Sequence, residues 1–131
     1  MVAHAEPRVT RRRRAELLHG IYVIVNEDGR ALELTRAVLD AGVRVVQYRA
    51  KRGVDAQCVR SLRALTREYD ALLIMNDDWR AAETFDCDGV HLGPEDAGFD
   101  RLATIRAALP ERLVGLSCGT IAEARDAGAG G

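Results

Sequence analysis

Lysine is nearly missing from this chain: Lys51 stands alone among 131 residues, beside eighteen arginines. An excess of either sign of charge is missing too, with 19 Lys and Arg against 20 Asp and Glu. The net charge of −1 offers no argument for a nucleic acid or an anionic membrane surface as partner. Aromatic residues are 5% of the chain, too few for a base-stacking platform. The three cysteines, Cys58, Cys87 and Cys118, are odd in number and irregularly spaced. With no CxxC and no Cys/His pairing pattern, neither a disulfide framework nor a structural zinc is expected. No apolar run is long enough to span a bilayer. The basic run Arg11–Arg14 is followed by Glu16 and His19 rather than by the apolar region of a signal peptide, so a cytoplasmic protein with reduced thiols is expected. No P-loop and no GxGxxG occurs. What remains, 47% hydrophobic and 30% charged residues, is the composition of a globular chain of one-domain length.

Residues 1 to 9 read as a loose tail. Thr10 is placed to cap a short helix reaching Leu18, on which the arginine run forms a solvated face or a frayed arm. From residue 20 the pattern becomes regular. Ile21–Val25 is a nearly continuous, β-branched apolar run, the mark of a buried parallel strand. Ala31–Ala41 carries Leu32, Leu34, Ala37 and Val38 at helical spacing and ends at Gly42. A strand follows from Val43, then a helix over Val54–Tyr69 with Val59, Leu62 and Leu65 on one face. Ala71–Met75, Gly89–Leu92 and Leu113–Leu116 predict three more strands. Helices are predicted over Trp79–Thr84, Phe99–Leu109 and Thr120–Ala127, the last with Thr120 and Glu123 as a capping pair. Five strand–helix alternations predict an α/β fold with a parallel sheet and right-handed crossovers. Residues 1–19 are taken as tail and short helix, and 20–131 as the folded domain.

Each of strands two to five turns polar at its C-terminal end. In parallel α/β folds those ends share one rim, where ligands bind. Gln47, Arg49 and Lys51 lie on one face of the second strand and its continuation. Asn76 and Asp77 follow the third, Glu95 and Asp96 the fourth, and Ser117 the fifth. Cations beside carboxylates, with no hydrophobic slot, suit a polyanion held jointly by Arg, Lys and a divalent ion. Magnesium takes hard oxygen ligands, typically one or two carboxylates plus phosphate oxygens. Each residue also has an ordinary reading. Lys51 could be a solvated loop residue, Asp77 or Asp78 a helix cap (Asp78 the better placed), and Glu95 and Asp96 a hydrated loop. His91 could be a satisfied core histidine and Ser117 a cap.

Taken together, Tyr22-Val23-Ile24, Gln47-Tyr48-Arg49-Ala50-Lys51, Met75-Asn76-Asp77, the run Asp88–Asp96 and Gly115-Leu116-Ser117-Cys118 resemble the thiamine-phosphate synthase family in order, spacing and strand position. The resemblance implies a TIM (β/α) barrel, here carrying its first five βα units. It implies a transferase of thiamine biosynthesis that couples hydroxymethylpyrimidine diphosphate to a thiazole phosphate, giving thiamine phosphate and diphosphate. On that basis Gln47, Arg49, Lys51, Asn76 and Ser117 would hold the pyrimidine diphosphate, with Arg49, Lys51 and Ser117 nearest the chemistry. Asp77 and Asp96 would hold Mg²⁺.

Three features depart from the family pattern. Ser117-Cys118-Gly119 stands where many relatives have Ser-x-His, and Gly93-Pro94 replaces Gly-Gln. The family's sixth-strand lysine region and late Gly-rich phosphate loop have no counterpart among the 131 residues. An open five-stranded sheet would leave Ile21–Val25 and Leu113–Leu116 as edges, so the chain alone is expected to be poorly active and prone to self-association. Two other functions fit parts of the pattern. A thiazole tautomerase relative would share the barrel without needing the diphosphate and magnesium residues. A non-catalytic half-barrel would bind only a phosphate compound or a partner chain.

Overall fold

The computed structural model describes residues 8–93 and 99–129. The elements run α1 (Arg11–Leu17), β1 (Tyr22–Asn26), α2 (Ala31–Asp40), β2 (Val45–Arg49), α3 (Ala56–Glu68) and β3 (Leu72–Asn76). They continue with α4 (Trp79–Thr84), β4 (Gly89–Leu92), α5 (Phe99–Ala108), β5 (Leu113–Leu116) and α6 (Ile121–Ala129). The five strands form one sheet in the order β1-β2-β3-β4-β5, all pairs parallel. A monotonic order with crossovers of one hand puts the connecting helices on one side of the sheet. That is the arrangement of a barrel wall rather than of a doubly wound sheet.

The packing follows from strand alternation. The outer face carries Val25, Val46, Tyr48, Leu73, Met75, Val90 and Leu92, all buried in one core against Ala31 and Leu39 of α2, Val59, Leu62 and Leu65 of α3, Ala81 and Ala82 of α4, and Ile105 of α5. The inner face begins apolar, with Val45, Leu72 and Ile74 packed against Leu17 and Leu113. It turns polar toward the strand C-termini. Two inner-face glycines make room. A Cβ on Gly89 would lie 2.5 Å from the Leu113 carbonyl oxygen, and one on Gly115 would lie 2.6 Å from His91 Nδ1.

Two expectations from the sequence need correcting. The first strand is not buried on both faces: Tyr22 is 40% and Ile24 51% exposed, because both lie on the inner face of an edge strand. Nor is the arginine run wholly solvated. Thr10 caps α1 by accepting from the Arg13 amide, and Arg14, on the side turned to the sheet, is buried. Its Nε donates to Asp88 Oδ1 at 2.9 Å and its Nη1 to the Glu111 carbonyl at 2.8 Å. Asp88 Oδ2 accepts from Arg63 Nη1 at 2.6 Å and from the Leu73 amide at 2.9 Å. One carboxylate thus ties α1, α3 and β3 to the start of β4. Among the described residues no helix is long and apolar enough to cross a membrane.

Candidate functional site

The C-terminal rim is built from the inner-face positions of the strands and the loops that follow them. Register places Ile24, Gln47, Ile74, Gly89 and Leu113 on one level. Nearer the rim, Asn26 pairs with Arg49, and Asn76, His91 and Gly115 stand side by side. Gln47 is 2% exposed, yet both ends of its amide are used. Its Nε2 donates to the Tyr22 hydroxyl at 2.9 Å, and its Oε1 accepts from Asn76 Nδ2 at 3.0 Å. A buried amide needs such partners, and here they hold three inner-face side chains in one line. Arg49 Nη1 donates to Asn26 Oδ1 at 3.2 Å, which keeps the guanidinium on the rim beside β1.

Lys51 stands on the loop after β2. Its Nζ lies 3.6 Å from Asp77 Oδ2, with the lysine side chain 59% and the aspartate 32% exposed. An ion pair so open to solvent contributes little stability, so it marks proximity rather than a structural lock. Asp77 does not cap a helix: Asp78 does, accepting from the Ala81 amide at 2.9 Å. Asp77 instead adopts a left-handed backbone, φ 61°. Among the described residues, the other two non-glycine positions with positive φ, Asp70 and Asp86, directly follow the helix ends at Tyr69 and Phe85, where that conformation is routine. Asp77 has no such reason. Its amide donates to the His91 carbonyl at 2.8 Å, and its Oδ1 accepts from the Gly93 amide at 3.3 Å. These bonds turn the carboxylate toward the rim between β3 and β4.

His91 and Ser117 meet across β4 and β5, with Nε2 and Oγ 2.9 Å apart. Burial lowers the His91 pKa from the ordinary histidine value, and the Asp77 carboxylate opposes that shift. Ser117 does not cap α6; Thr120 does, accepting from the Glu123 amide at 3.1 Å. Glu95 and Asp96 lie outside the described residues. Among the described residues no three His, Cys, Asp or Glu side chains converge as a ready metal cage.

The structure therefore brings Gln47 with Asn76, Lys51 with Asp77, and Ser117 with His91, and sets Arg49 against Asn26. Tyr22 and His91 had no assigned role in the sequence reading. Strand parity was the available signal, since each lies an even number of residues from an inner-face neighbour (Ile24 and Gly89), but their partners depend on the register between strands.

Comparison with known proteins agrees with this architecture. A family model described as thiamine monophosphate synthase matches residues 21–131. Thiamine-phosphate synthase from Methylobacillus flagellatus is 37% identical over 108 residues, which is 77% of this chain and 50% of that protein. The Bacillus mycoides thiamine-phosphate synthase is 33% identical over 129 residues, 91% of this chain and 57% of that one. The solved structure of thiamine phosphate pyrophosphorylase from Pyrococcus furiosus superposes with a TM-score of 0.73 at 32% identity, covering 90% of this chain and 58% of that one. The chain spans about half the length of the curated relatives it matches. With the parallel barrel wall and the matched stretch from β1 through α6, this chain belongs to the thiamine monophosphate synthase family.

Proposed function

We propose that this chain supplies the pyrimidine-diphosphate and magnesium part of a thiamine-phosphate synthase site, in which hydroxymethylpyrimidine diphosphate is coupled to a thiazole phosphate. The observation that carries the reading is the division of the inner face by depth. The neutral amide Gln47 lies deep and buried, with Asn76 hydrogen-bonded to it from the next level toward the rim, while the cation Arg49 stands at that nearer level and Lys51 and the carboxylate Asp77 on the loops beyond. An aminopyrimidine ring presents donors and acceptors without charge and suits the amides. A diphosphate suits the cations.

Magnesium needs little from the protein: one or two carboxylate oxygens, with the rest from phosphate and water. Asp77 fits that demand. Its carboxylate is partly open, is not spent on a helix cap, and is aimed by a left-handed backbone. Asp96 is the proposed second ligand. Bound there, the ion would neutralise charge building on the departing diphosphate. Arg49 and Lys51 would act in the same sense from the β2 side, and Ser117 would donate to the leaving group, its hydroxyl oriented by neutral His91. The aminopyrimidine can stabilise the cation left behind, so the protein's task is positioning and electrostatics rather than covalent chemistry.

The test separates the two depths. Affinities for the pyrimidine diphosphate and for inorganic diphosphate, both with Mg²⁺, are compared in the wild type and in Gln47→Ala. The expected result is weaker binding of the pyrimidine compound alone. Equal loss for both ligands, or no loss for either, would contradict the assignment.

A further inference from the structure

Strand alternation puts Tyr48 on the face opposite Gln47 and Arg49, so its ring is buried with the helices and cannot touch a ligand on the inner face. Its hydroxyl nevertheless accepts from the Asp55 amide at 3.2 Å. Between those residues runs the loop that carries Lys51. Its backbone is held at several points. The Arg49 carbonyl accepts from the Glu27 amide at 2.9 Å, and the Gly53 amide donates to the Ala50 carbonyl at 3.2 Å, which makes Lys51 a corner of a tight turn. Gly53 has φ 117°, a conformation open to glycine at little cost. Ala50 and Val54 pack against the core, and Asp55 then caps α3 by accepting from the Cys58 amide at 3.1 Å.

We infer that Tyr48 is a positioning residue for the diphosphate grip: its hydroxyl, bonded to the Asp55 amide, closes the base of the 50–55 loop and thereby holds Lys51 within reach of Asp77. This rests on the diphosphate reading proposed above. The surroundings of the hydroxyl agree with a fixed rather than a titrating role. Burial raises the Tyr48 pKa and pushes the neighbouring Cys58 thiol up to about 12, and the Glu27 carboxylate raises both further. The hydroxyl therefore stays protonated at any working pH, and the pin does not switch.

Tyr48→Phe keeps the ring and removes the bond. Binding of inorganic diphosphate with Mg²⁺ is measured by calorimetry in the wild type, Tyr48→Phe, Lys51→Ala and the double variant, with thermal melts alongside. The expected result is about fivefold weaker binding in Tyr48→Phe, the scale of one ordinary hydrogen bond, and no further loss when Lys51 is already alanine. An unchanged affinity, or the same fivefold loss in the Lys51→Ala background, would overturn the inference. A wild type that binds no diphosphate would instead overturn the proposed function. Hydrogen exchange at the Asp55 amide of the wild type tests the pin without any variant: slow exchange supports it, and exchange at the rate of an open loop overturns it even if Tyr48→Phe does not fold.

Discussion

The Asp88 junction offers the sharpest stability prediction. Its carboxylate receives two guanidinium groups and a backbone amide, and the side chains involved are nearly sealed: Asp88 and Arg14 are each 7% exposed and Arg63 is 11%. Asp88→Asn conserves shape and leaves an oxygen for the Leu73 amide, but it leaves two buried cations facing a neutral group. Removing one partner of a buried ion pair costs about 3–5 kcal/mol. At about 2.1 cal/mol/K per residue, the unfolding entropy of a chain this size is roughly 0.28 kcal/mol/K. The melting temperature should therefore fall by about 10–18 °C. The same physics predicts a rescue: Asp88→Asn combined with Arg14→Met and Arg63→Met removes the orphaned charges and should regain most of the loss. Thermal and urea unfolding of the single and triple variants measure both. A single-variant loss below about 1 kcal/mol, or a triple variant less stable than the single, would refute the claim that desolvated charge governs this junction.

Further outcomes follow from the inner face. Gly115→Ala would drive a methyl to 2.6 Å from His91 Nδ1, so it should displace the ring from Ser117 and cost about 1–3 kcal/mol, read as a lower urea midpoint. Because burial holds the folded-state pKa of His91 below its unfolded value, protonation favours the unfolded chain. Stability contributed by neutral His91 is fully present above the unfolded value near 6.5 and is lost as pH falls below it toward the lowered folded-state value, so His91→Gln should flatten the acid limb of a melting-temperature profile below about pH 6.5. An acid limb unchanged in that variant would assign the loss to other groups.

Much of the frame was legible because hydrophobic period and caps act locally. The strands beginning at Gly89 and Leu113 and the Trp79–Thr84 helix fall where the pattern puts them, and Asp78 and Thr120 cap as their positions suggested. Polar ends on successive strands were visible for the same reason: parity within a strand needs no knowledge of its neighbours. What stayed hidden depends on pairing between distant segments. Nothing local to Arg14 distinguishes it from Arg11, Arg12 and Arg13. Only the docking of α1 against the start of β4 buries it. Asp88 looked like one member of a family run, since its three partners come from residues 14, 63 and 73. The exposure of Ile24 follows from edge position, which an apolar run cannot reveal. The His91–Ser117 contact needs both the β4–β5 register and the missing side chain at Gly115.

The measurement that bears most directly on the central claim is a calorimetric titration of the chain with the pyrimidine diphosphate, with and without Mg²⁺, in the wild type, Lys51→Ala and Asp77→Ala. Binding should require magnesium, weaken by about tenfold or more in Lys51→Ala, where a charge-assisted contact is lost, and lose its magnesium dependence in Asp77→Ala. Binding of equal strength without the ion, or unaltered by either substitution, would contradict a magnesium-assisted diphosphate grip on this rim.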